Sequence, residues 1–81
     1  MAVDVTIRYF ASLRDRAGIS DEQVRTGAAD LAALYAERDG SLGLGWPREH
    51  LRVSVNGAFA DWTRVPAAGD EIVFIPPVSG G

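Results

Sequence analysis

The chain has 81 residues, enough for one small domain with a modest core. It holds no Cys, which excludes disulfides, thiolate metal sites and a thiol nucleophile, and its cations are eight Arg with no Lys. A formal net charge of −3 argues against nonspecific nucleic-acid binding and suits a protein partner with a basic groove.

The N-terminus shows no signal-peptide pattern, and no apolar run approaches a membrane span, so a cytoplasmic protein is expected. From Val3 to Phe10, Val3, Val5, Ile7 and Tyr9 alternate with more polar positions, predicting a half-buried strand. Ala11 to Ala17 reads as a short helix ended by Gly18. Gln23 to Thr26 is read as a second strand. Ala28 to Arg38 carries Ala28, Leu31, Ala32, Leu34 and Tyr35 at helical spacing, with Gly40 as the stop. The turn formers Gly43, Gly45 and Pro47 make 41–49 a surface loop.

Leu51, Val53 and Val55 alternate with Arg52, Ser54 and Asn56, a third strand, and Asn56–Gly57 is a strong hairpin signal. Ala58 to Asp61 is then its partner. After a turn at 68–70, Glu71 to Ile75 is apolar on both faces, which predicts a strand that is central or covered on both sides. One main helix over one mixed sheet is an α+β roll, residues 1–75, followed by an extended tail, 76–81.

That tail reads PPVSGG. Pro76 and Pro77 fix φ and lack N–H groups, so they end sheet pairing and start a stiff, extended exit. Val78, Ser79, Gly80 and Gly81 would then reach as far as about 3.3–3.6 Å per residue allows. Two side-chain-free residues fit a narrow tunnel, and a terminal carboxylate at Gly81 is the expected reactive group. Adenylation would activate it, and sulfide would convert it to a thiocarboxylate, a sulfur nucleophile carried without Cys. A Gly-Gly end can also be an ordinary frayed terminus.

Gly69 to Gly81, reading GDEIVFIPPVSGG, resembles the C-terminal signature of the small subunit of molybdopterin synthase. Arg8 to Arg14, reading RYFASLR and followed by Ala17–Gly18, resembles its N-terminal signature. The resemblance spans the chain in length and element order; residues 20 to 50 match only in pattern. The Phe10–Arg14 element and the length favour this branch over the shorter thiamine carrier. The resemblance implies a ubiquitin-like β-grasp fold with a Gly-Gly tail. It implies no permanently bound cofactor, ATP being used by a ubiquitin-activating-like adenylyltransferase to adenylate Gly81. It implies insertion of the tail into the synthase large subunit and sulfur transfer to cyclic pyranopterin monophosphate, within a heterotetramer. Catalytic Lys and Arg residues would belong to the partner. Phe10, Arg14 and Ile75 fall where the family docks its partners, with Phe59 beside them. Many relatives carry an aromatic where Ile75 stands. Carriers for thiamine or cysteine synthesis, a ubiquitin-like protein modifier and an interaction module with an inert tail are the alternatives.

Other residues have plainer readings. Phe10 is read as an exposed docking patch with Ile75, against a second small core under the short helix. Arg14 either meets a partner or solvates its helix. His50 stands alone and reads as a strand-edge surface residue rather than a metal ligand. Asp70 and Glu71 point to opposite faces, so Asp70 caps a turn and no acid–base pair is expected. Trp46 and Trp62 are expected to pack over a core edge. Gly43–Gly45 lacks the flanking strand and helix of a phosphate loop.

Overall fold

The computed structural model describes residues 2–77. Its strands are β1 (Val3–Tyr9), β2 (Asp21–Thr26), β3 (Arg52–Val55), β4 (Ala58–Ala60) and β5 (Glu71–Ile75). Its helices are α1 (Ala11–Ala17) and α2 (Leu31–Leu42), with a 3₁₀ turn at Arg48–His50. The strands form one sheet in the order β2-β1-β5-β3-β4. β1 and β5 run parallel, with Ile7 opposite Ile72 and Tyr9 opposite Phe74, and every other pairing is antiparallel. This is the mixed roll that the sequence predicts, with its last strand central.

Alternation in β1 buries Val5, Ile7 and Tyr9 on the face that meets α2. Leu31, Leu34 and Tyr35 of α2 and Leu13 of α1 close over them, together with Val53, Val55, Ile72 and Phe74. The opposite face of β5 is also covered in part, since Val73 is buried while lying between Ser54 and Arg8.

α2 departs from its sequence reading at both ends. It starts at Leu31, because the Asp30 carboxylate accepts from the Ala33 N–H at 2.8 Å and satisfies one of the free donors of the first turn. It runs through Gly40 and stops at Gly43, where φ is 69° and the Gly43 N–H donates to the Asp39 carbonyl. Gly40 costs the helix about 1 kcal/mol relative to Ala, but it does not end it. What ends it is the pull on the following segment: Leu44 is fully buried, and the Gly45 N–H donates to the Asp39 carboxylate at 2.8 Å. β2 begins two residues before the predicted Gln23, and β1 stops at Tyr9, leaving Phe10 to cap α1. β3 and β4 are each shorter than their predicted runs. His50 lies in the 3₁₀ turn, not on a strand edge.

The β3–β4 hairpin turns at Asn56 (φ 53°) and Gly57 (φ 88°), both in the region the tight turn requires. Asn56 also fastens the hairpin to the turn before β5. Its Nδ2 donates to Asp70 Oδ1 at 3.0 Å, and its Oδ1 accepts from the Glu71 N–H at 2.9 Å. Asp70 Oδ2 accepts from the Ala67 N–H at 2.8 Å, and the residue is buried. Asp70→Ala would strand two donors at once. We expect it to lower stability by about 3 kcal/mol or more, since each of the two hydrogen bonds to the charged group is worth about 1.5–3 kcal/mol. Urea unfolding measures it, and a loss below about 0.5 kcal/mol would show the cap to be unimportant.

Candidate functional site: the surface around the root of the tail

β5 leaves the sheet between β1 and β3, and the chain continues into buried Pro76 and exposed Pro77. Their missing N–H groups end the ladder there. Two depressions flank this exit. One, of about 470 Å³, is lined by Phe10, Ala11, Ser12, Trp46 and Ile75 with the two prolines. The other, of about 400 Å³, is lined by His50, Arg52, Phe59 and Ile75 with the same prolines. Ile75 and the prolines therefore form a ridge with an apolar hollow on each side.

Local structure explains why apolar groups stand exposed here. Phe10 is extended (φ −118°, ψ 151°) and the next residue, Ala11, takes φ 50°. That left-handed step is costly for a residue with a Cβ. It turns the chain from β1 into α1, with the Phe10 ring left 49% exposed. Phe59 is the middle residue of the short edge strand β4 and is 69% exposed. The Arg52 guanidinium lies 5.6 Å from its ring centre, and Arg52 stands opposite Ile75 in the β3–β5 register.

Trp46 forms one wall, and three contacts hold it. Its Nε1 donates to Ser12 Oγ at 3.1 Å, its carbonyl accepts from the Tyr35 hydroxyl at 2.6 Å, and the Arg16 guanidinium lies 5.4 Å from its ring centre. Trp46 packs against the core, as expected, and also faces the hollow beside Phe10. The sequence gives no sign of this second role, because Ser12 is 34 residues away. The same holds for His50, whose ring centre is 6.3 Å from that of Trp46.

The structure brings Phe10, Ile75, Pro76 and Pro77 to one hollow and Phe59 with the last three to the other. Arg14 is exposed on α1, lines neither hollow and forms no ion pair with a described residue. The expected tail residues Val78, Ser79, Gly80 and Gly81 lie outside the described residues.

Among the described residues no carboxylate lines either hollow, and Arg52 and His50 are the ionisable residues there. Among the described residues, the tail root therefore presents apolar groups and the Arg52 guanidinium to a partner. Burial, and then the nearby Asp39, push the Tyr35 phenol up to about 12. Burial and the hydrogen bond to Glu22 push Tyr9 higher still. Both phenols stay neutral and structural. Among the described residues no group of three His, Cys, Asp or Glu could hold a metal ion, and no helix is long and apolar enough to cross a membrane.

No curated protein matches the chain. Solved structures do. SAMP1 from Haloferax volcanii is 30% identical, with a TM-score of 0.80 over 96% of this chain and 99% of that one. A chain of the complex of subunits 1 and 2 of molybdopterin-converting factor from Helicobacter pylori is 26% identical, with a TM-score of 0.66 over 98% and 100%. Ubiquitin from Caldiarchaeum subterraneum, 18% identical with a TM-score of 0.66 over the whole of both chains, shares the fold. The roll is thus ubiquitin-like. The ThiS family model matches residues 7–81, a span that takes in both the Phe10 segment and the Gly-Gly end, and the chain belongs to the ThiS family.

Proposed function

We propose that this chain is the sulfur-carrying small subunit of molybdopterin synthase. On this reading the Gly81 carboxylate is adenylated by a ubiquitin-activating-like enzyme, pyrophosphate leaving from ATP. Sulfide then displaces AMP to give a thiocarboxylate. The globule docks on the synthase large subunit through the ridge and hollows around Ile75, and the tail delivers sulfur to cyclic pyranopterin monophosphate. The chain carries the reacting group, and its partners supply the catalytic side chains.

One observation carries the reading: the exposed rings of Phe10 and Phe59 flank the point where β5 gives way to Pro76 and Pro77. A carrier must bind its partner next to its tail, so that docking and insertion happen together. The family match and the likeness to the molybdopterin-converting factor complex support the same choice.

Intact mass after incubation with an adenylating enzyme, ATP and a sulfur source tests the chemistry. The expected gain equals the difference between one sulfur and one oxygen, located at Gly81. An unchanged mass, with the enzyme active on a known carrier, would reject it. The docking surface is tested by Phe59→Asp. We expect affinity for the large subunit to fall at least about tenfold, or ~1.4 kcal/mol. Because Phe59 is exposed, unfolding stability should stay within about 0.5 kcal/mol. Unchanged affinity would remove Phe59 from the interface.

The likeness to small archaeal modifier protein 1 favours a second reading, a ubiquitin-like modifier joined through Gly81 to lysines of other proteins. Gly81 remnants on target lysines, seen by mass spectrometry, would establish it.

A further inference from the structure

β2 is an outer strand, paired with β1 on one side and with no described strand on the other. One hydrogen bond tells which of its backbone groups face outward. The Tyr9 N–H donates to the Ser20 carbonyl at 2.9 Å, one step beyond the Arg8–Asp21 pair of the register. Bonded and non-bonded pairs alternate along an antiparallel ladder. Ser20, Glu22, Val24 and Thr26 therefore turn their N–H and C=O groups toward β1, and Asp21, Gln23 and Arg25 turn theirs toward the open edge. The far side of β1 agrees: the Thr6 N–H and Asp4 carbonyl bond the segment leading into β5.

Asp21, Gln23 and Arg25 also expose their side chains, while Val24 and Thr26 are buried. None of the six residues is a proline that would block pairing. Read against itself in the antiparallel direction, this edge is its own complement. With the centre at Gln23, Asp21 stands opposite Arg25 of the second copy, Gln23 opposite Gln23, and Arg25 opposite Asp21. All three pairs join residues whose backbone groups face the edge, so each can exchange two hydrogen bonds. Centring the pairing on Asp21 or on Arg25 would set like charges face to face. Centring it on Glu22 or Val24 would forfeit both ion pairs.

We propose that β2 pairs antiparallel with β2 of a second copy of this chain about a two-fold axis at Gln23, joining two sheets into one. Charge complementarity selects the second copy as occupant: an edge carrying an acid, an amide and a base in this order matches its own reverse. Arg25 already touches Asp4 at 3.3 Å, in a pair that is mostly exposed, and so would lie between Asp4 and Asp21 of the second copy. β3 and β4, which carry Arg52 and Phe59, are on the other side of the sheet from β2 and stay free. One short strand per copy buries little area, so the association is weak, dependent on concentration and loosened by salt.

Sedimentation equilibrium of the full chain at up to about 1 mM reads it, a range suited to weak association. The average mass should climb from the monomer toward twice that value and fall back in high salt. Gln23→Pro removes an outward N–H and no bond to β1, so thermal melting should hold while association weakens at least about tenfold. The chain lacks Cys, so Gln23→Cys reports the axis. Under mild oxidant it should form a disulfide-linked dimer much faster than Thr63→Cys, an exposed control. Monomer mass at every concentration would overturn the proposal, as would full association by Gln23→Pro or equal crosslinking of the two Cys variants.

Discussion

Deletion of Gly81 is expected to abolish sulfur transfer while leaving the melting of the domain unchanged. The reacting group would move to Gly80, and the tail would shorten by about 3.3–3.6 Å. On the proposed reading, transfer depends on a sulfur placed against its acceptor inside another protein. A misplacement of even ~1 Å there costs on the order of a hundredfold in rate. The full deletion should therefore lose at least that much in conversion of the pterin substrate by the reconstituted synthase. Gly80→Val separates reach from clearance, since it keeps the length and adds a branched side chain where a narrow tunnel has no room. Both variants should still bind the large subunit through Phe10, Phe59 and Ile75. Wild-type conversion by the deletion variant would mean that the tail is inert, leaving a ubiquitin-like interaction module.

Much of the fold is legible because its signals are local. The alternation of β1, the Asn56–Gly57 turn and the two-faced apolar run of β5 each sit within a few residues, and each element lies where its pattern places it. Sheet order is different: nothing in the Val3–Tyr9 pattern announces that β1 pairs parallel with a strand more than sixty residues on. The ends of α2 are hidden for the same reason. A Gly at position 40 is a stop signal on propensity, yet the helix runs to Leu42 and ends only where Gly43 turns left-handed and Leu44 is drawn into the core. Glu22, unremarkable in sequence, takes the Tyr9 hydroxyl at 2.6 Å, with Arg38 3.7 Å away, because β2 and α2 happen to meet there.

The candidate site divides in the same way. Phe10, Ile75 and the prolines stand out through the motifs that contain them, and the structure gathers them at one place. Trp46 and Ser12 do not stand out, because their meeting requires the whole roll to close. The acidic net charge suggests a basic partner, yet among the described residues the hollows show Arg52 and His50 and no carboxylate. Net charge reports the entire surface, whereas docking samples one patch of it, so the local arrangement decides which partner fits.

Phe74→Ala is expected to have the largest effect on stability. Phe74 lies in the middle of the sheet and is fully buried. Its ring stacks on Trp62 (6.0 Å, 15°), meets Tyr35 edge-on (5.1 Å, 78°) and approaches Tyr9 at 6.3 Å. These neighbours come from β1, α2 and the segment after β4, so the ring joins both layers of the roll. Truncating a buried Phe to Ala costs about 3–5 kcal/mol. A chain of this length has on the order of 4–12 kcal/mol in all. The variant should thus be largely unfolded, or have a urea midpoint shifted far down with an unchanged slope. Phe74→Leu, which keeps most of the volume, should cost under about 1.5 kcal/mol. Phe59→Ala on the exposed strand should cost almost nothing, although it removes the same atoms. If Phe74→Ala lost less than about 1 kcal/mol, the aromatic cluster would not be the centre of the core. The neighbouring Ile75 and the prolines would then have no rigid strand behind them, and the docking ridge itself would be in question.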